Sequence, residues 1–99
     1  MSFVITQPEA LATSANTLQG IGISVGAGSA AAAVPTTVVA PAAADEVSAL
    51  TALQFAAHGQ LYQAVSAQAA AIHEMFVEVM RVSAGSYAAT EAANAATAG

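Results

Sequence analysis

Apolar positions recur at helical spacing over the middle of the chain: Leu50, Leu53, Ala57, Leu61, Val65, Ile72, Phe76 and Val79. Beside them a second row, Phe55, Tyr62, Ala69 and Phe76, steps in sevens as a coiled-coil seam does. Asp45 to Val82 is 38 residues without a proline, interrupted only by Gly59, so the pattern predicts one long amphipathic helix over 45–82. At 1.5 Å per residue it would run roughly 57 Å, against an ordinary helix of about 11–12 residues. Asp45 supplies an N-cap and Glu46 sits at the positive end of the dipole. Two apolar rows make a face wider than one antiparallel neighbour can cover, which predicts a helix shared between neighbours.

The preceding segment repeats the pattern more weakly. Leu11, Ala15, Leu18, Gly22 and Val25 follow a 4,3,4,3 spacing, Pro8 suits a first helical turn and Glu9 complements its dipole. Gly20, Gly22, Gly26 and Gly28 each disfavour helix by roughly 0.8–1 kcal/mol relative to alanine, so this helix depends on packing. The glycines fit either a close helix–helix approach or local irregularity. Val34 precedes Pro35 and should leave the helical region. The prediction is an extended start over 2–7, a helix over 8–33, a loop over 34–44 and a helix over 45–82. The connector makes the two helices an antiparallel hairpin, the second overhanging the first. Residues 83–99 are mostly Ala, Ser, Thr, Gly and Asn with Tyr87 the one aromatic, and read as a disordered tail after a 1–82 hairpin.

Composition qualifies this all-α picture. Of the 57% hydrophobic residues in 99, 29 are alanine, which favours helix but buries little area, so an independent core would be thin. Net charge is −5 with Arg81 the only basic residue, which argues against nucleic-acid binding and against attraction to anionic membranes. Cysteine is absent, removing disulfide and thiolate chemistry. The start has neither a basic nor an apolar leader region, so no signal peptide is expected. Ala10 to Ala44 is uncharged, but Thr13, Ser14, Asn16, Thr17 and Gln19 open it and Pro35 and Pro41 break it, so no transmembrane segment is expected.

Catalytic and cofactor patterns do not assemble. His58 and His73 are 15 residues apart, about 22 Å along a helix, too far to share a metal. Glu74 and Glu78 lie four apart, which reads as a solvated face near Arg81. Gly26-Ala27-Gly28-Ser29 lacks the G-x-S-x-G pattern, and Gly20-Ile21-Gly22 lacks the third glycine of G-x-G-x-x-G because Val25 stands there. Asp45 is the only aspartate, so no Ser-His-Asp set can be drawn. No catalytic residue, metal ligand or cofactor is assigned. Tyr87 and Glu91 stand out instead, an aromatic and a carboxylate four apart in an otherwise featureless segment.

Met1-Ser2-Phe3-Val4 leading into Pro8-Glu9-Ala10-Leu11 resembles the start of the mycobacterial PE proteins, named for the Pro-Glu pair. The connector from Pro35-Thr36-Thr37 through Pro41 to Asp45-Glu46-Val47-Ser48-Ala49-Leu50 is similar to theirs, as is Ser86-Tyr87-Ala88-Ala89-Thr90-Glu91. The resemblance is to the short, domain-only members. It implies a non-enzymatic helical hairpin that completes an elongated four-helix bundle with a PPE-family partner. It further implies export of the folded pair by a type VII secretion system to the cell surface or beyond. Tyr87 and Glu91 resemble that pathway's Y-x-x-x-[DE] signal, and an EspG-type chaperone would hold the pair through its PPE member. The expected partner face comprises Leu11, Leu18, Val25, Leu50, Leu53, Phe55, Leu61, Tyr62, Val65, Ile72 and Phe76. Two other readings use the same apolar face: self-association of hairpins into an envelope structure, and a membrane-surface helix.

Overall fold

The computed structural model describes residues 6–99, which form two α-helices and the segment that joins them: α1, Pro8–Thr37, and α2, Glu46–Ala98. The all-α antiparallel hairpin is as the hydrophobic pattern predicts. The family-like Met1-Ser2-Phe3-Val4 start lies outside the described residues, as does most of the expected extended stretch over 2–7.

Helix α1 begins where expected. Pro8 takes the first helical position, where its missing N–H costs no hydrogen bond, and the Gln7 carbonyl accepts from the amides of Ala10 and Leu11. Its end is a correction, because the helix runs through Pro35 to Thr37 instead of stopping at 33. Proline falls in the last turn, where it deprives only the exposed Ala31 carbonyl of a donor. The hydroxyls of Thr36 and Thr37 donate to the carbonyls of Ala32 and Ala33 at 2.6 Å, and the Val38 amide donates to Val34 at 2.9 Å. The connector is therefore shorter than the expected 34–44, covering 38–45. Asp45 caps α2 in extended geometry, its carboxylate accepting from the Ser48 amide at 2.8 Å and the Ser48 hydroxyl at 3.0 Å.

The second correction concerns the tail. Helix α2 passes Val82 without a break and continues to Ala98, through the segment expected to be disordered. Eight of the seventeen residues from Ser83 to Gly99 are alanine, the strongest helix former, and no proline interrupts them. Packing continues too: Ala84 is buried, and the Thr6 hydroxyl donates to the Glu91 carboxylate at 2.8 Å.

The helices meet in a regular register. Gly59 lies against the Thr36 backbone, the Ser66 hydroxyl bonds the Ser29 hydroxyl at 3.0 Å, and the His73 ring lies over Gly22. Each step of seven down α2 meets a step of seven back up α1, the spacing of a coiled-coil seam. The next step reaches Met80 and Ala15, the latter wholly buried. Since α1 ends beside Gly59, the first thirteen residues of α2 project past it, about 20 Å of helix beside the connector. The molecule is a rod of 80 × 20 × 17 Å, as long as α2 and two helices wide.

Candidate partner interface

The seam is lined by small and polar side chains. Ala15, Ala52, Val77 and Ala84 form the apolar core, with buried Gly59 beside them. Stepping in sevens, α2 presents Gly59, Ser66, His73, Met80 and Tyr87 to this side, with Gln63, Ala70, Val77, Ala84 and Glu91 each four further on. Gly59 is required by contact: a Cβ there would collide with the Thr36 carbonyl oxygen. Gly22 makes room for His73, whose ring lies 2.8 Å from where a Cβ would stand. The His73 Nε2–H donates to the Leu18 carbonyl at 2.6 Å, and the Gln63 amide donates to the Ser29 carbonyl at 3.0 Å. Of the two histidines only His73 is a seam residue, and His58 is exposed. Gly20, Gly26 and Gly28 have open space around them, so one glycine of the four in α1 marks a close approach.

On one flank of the seam lies Arg81, the only cation, which donates to Asn16 Oδ1 at 3.1 Å and to Gln19 Oε1. At helical spacing its row on α2 is Gln60, Ala67, Glu74 and Arg81, which is polar or small throughout. On the other flank the row is Phe55, Tyr62, Ala69 and Phe76, with Val65, Ile72 and Val79 behind it and Leu61, Met75 and Val82 further round. The corresponding row of α1 is Leu11, Leu18, Val25 and Ala32. These two rows share a side, because Ala32, Pro35 and Val39 line one groove with Phe55, His58 and Tyr62. The hairpin thus has a polar flank and an apolar flank.

Most of the side chains expected at a partner face stand in solvent. Val25, Leu50, Leu53, Phe55, Leu61, Tyr62, Val65, Ile72 and Phe76 are all at least 55% exposed. Leu11 and Leu18 are half-buried at the edge of the seam. Leu50 and Leu53 lie on the overhang past α1, apart from the continuous face that Tyr62, Val65, Ile72 and Phe76 share. Ile21, Met75, Val79 and Val82 are also exposed and extend the apolar surface, whereas Ile23, seven after Asn16, is exposed on the flank of Gln19, Glu74 and Arg81. Sequence reasoning missed the seam, although its signal is present as the small residues Ala52, Gly59 and Ser66 recurring at seven.

The accessible area measures the imbalance. A compact 9.6 kDa chain exposes about 5,100 Å² by the usual scaling, and this one exposes 7377 Å². Its radius of gyration is 22.9 Å, where a compact domain of this length has about 13 Å. The excess area is of the order that a stable protein–protein contact buries. Among the described residues no group of three or more His, Asp and Glu side chains is arranged to hold a metal ion.

The molecule is a rod-shaped helical hairpin with an internal seam of small residues and one large exposed apolar flank. The chain belongs to the PE family, whose sequence model matches residues 4–94. It is 64% identical over 98 residues to the PE family protein PE13 of Mycobacterium tuberculosis (strain ATCC 25618 / H37Rv), covering 99% of both chains. It is 62% identical over 96 residues to the PE-PGRS family protein PE_PGRS33 of Mycobacterium tuberculosis (strain CDC 1551 / Oshkosh), covering 97% of this chain and 20% of that one. Its identity to the PE family protein PE8 of strain ATCC 25618 / H37Rv is 53% over 98 residues, 99% of this chain and 36% of that one.

Proposed function

We propose that this chain is a non-enzymatic interaction subunit that pairs with a PPE-family protein and is exported with it, folded, by a type VII secretion system. The observation that carries the pairing is the apolar flank: Phe55, Tyr62, Val65, Ile72 and Phe76 stand exposed while the hairpin's own seam is already filled. Two helices of a partner laid on that flank would complete a four-helix bundle and remove its exposed apolar side chains from water. The export reading rests on family membership and on Tyr87 and Glu91, which the helix places four apart on one face. An EspG-type chaperone acts through the PPE partner, and the destination is the cell surface or the medium.

Helix α1 is long and apolar enough, by length and composition, to cross a membrane. Its hydrogen bonds to Gln63, Ser66, His73 and Arg81 of α2 support a hairpin arm instead, since separating the helices in lipid would strand those polar groups.

The test is a pair of substitutions on opposite flanks. Phe76→Asp places an unpaired charge in the proposed interface and abolishes co-purification with the PPE partner. Ala67→Asp, on the polar flank, leaves co-purification at the wild-type level. Equal effects of the two would refute the assignment of the apolar flank.

A further inference from the structure

Tyr87 and Glu91 continue the seam stripe of α2. Tyr87 follows Met80 by seven and His73 by fourteen, and Glu91 follows Ala84 by seven and Val77 by fourteen. Val77 and Ala84 are buried in the hairpin, so the same face carries the pair towards the start of α1. There the Thr6 hydroxyl, immediately before the N-cap Gln7, donates to the Glu91 carboxylate at 2.8 Å. Thr6 itself is half-buried, while Tyr87 remains 49% exposed and Glu91 is open to solvent.

We propose that Thr6 is a positioning residue for the export signal, and that the recognised surface is a composite of both arms of the hairpin at its open end. The inference rests on the reading of Tyr87 and Glu91 as that signal. A glutamate on a lone helix samples several rotamers, and a receptor that needs one of them must bear the cost of selecting it. A hydroxyl donor from the other arm holds the carboxylate in one place, beside an exposed phenol one helical turn away. The surface this presents suits a receptor with an apolar slot for the Tyr87 ring next to a cationic group for Glu91, the charge-assisted pairing that rewards fixed geometry. The four-residue spacing of the pair then has a structural origin, since it is the spacing of successive seam positions.

Four forms of the full chain, co-expressed with the PPE partner in a mycobacterial host, separate the possibilities: wild type, Thr6→Ser, Thr6→Val and Tyr87→Ala. The ratio of chain in the medium to chain in the cells is measured, with co-purification of the partner from the cells as the control for folding. Thr6→Val lowers the exported ratio several-fold with pairing unchanged, Thr6→Ser restores it by keeping the hydroxyl, and Tyr87→Ala stops export. Normal export of Thr6→Val beside blocked export of Tyr87→Ala overturns the composite surface and leaves the signal reading standing. Normal export of Tyr87→Ala overturns the signal reading and this inference with it. Loss of pairing in Thr6→Val, or failure of Thr6→Ser to restore export, makes the role of Thr6 merely structural and also overturns the inference.

Discussion

Two glycines of the same chain carry opposite meanings, and substitution by alanine separates them. At Gly59 a methyl group would strike the Thr36 backbone, which cannot swing aside as a side chain can. The gain in helix propensity is then outweighed, and Gly59→Ala is expected to cost roughly 1–3 kcal/mol by overpacking. At Gly26 nothing lies within reach of the added carbon, so Gly26→Ala should stabilise by roughly 0.5–1 kcal/mol. Thermal melts of the two variants check this: Tm falls for the first and rises for the second. Asp45 gives a pH-dependent counterpart. The Ser48 backbone N–H, and then the Ser48 hydroxyl, hold its carboxyl below the ordinary aspartate range. A pKa lowered by folding means the ionised cap contributes stability in full above the unfolded value, about 3.9, and loses it as pH falls through the lowered one. Wild-type helicity should therefore drop more than that of Asp45→Asn, a neutral cap, when acid is titrated in below about pH 4. Parallel titration curves would contradict the assignment.

At the scale of the element, α2 decides the shape of the molecule, and its 53 residues exceed what periodicity alone predicts. The apolar rows stop near Val82, and a reading that follows large side chains stops with them. The helix continues because alanine sustains it and because Ala84, Tyr87 and Glu91 keep the seam spacing at which α1 can be met. Backbone amides from Ser83 to about Ala92 should accordingly show hydrogen-exchange protection, falling away over the last turn to Ala98. Exchange as fast as an unfolded chain from Ser83 onward would restore the disordered tail. The end of α1 was hidden for a related reason. Proline in the last turn reads as a stop, yet the two threonines behind it supply hydroxyl bonds to the carbonyls of Ala32 and Ala33.

For the whole molecule, the pattern of large apolar residues marked a face wider than one antiparallel neighbour covers, and left unmarked the stripe of small and polar residues on which α1 packs. The two helices, their antiparallel order, the Pro8 start, the Asp45 cap and the overhang were all legible. The seam was not, because Gly59, Ser66, Gln63 and His73 look like a polar stripe until a second helix is placed on them. Close approach there depends on small side chains, and the hydrogen bonds that follow depend on that approach. Once the seam is assigned to α1, the rows through Tyr62, Val65, Ile72 and Phe76 stand exposed, with no partner among the described residues. Buried alanine and glycine contribute little free energy per residue, and the apolar area that could contribute more lies outside. On the proposed reading the hairpin is half of a larger core, and its stability is tied to the partner that covers that flank.

The most direct test of that claim is circular dichroism with light scattering on the isolated 99-residue chain, repeated after co-expression with a PPE-family protein. The expected result is a lone chain that is poorly helical or aggregated, and a soluble helical 1:1 complex with a cooperative melt when the partner is present. A lone chain that is a helical monomer with a cooperative melt of its own would contradict it, because the exposed flank would then not be an obligatory interface.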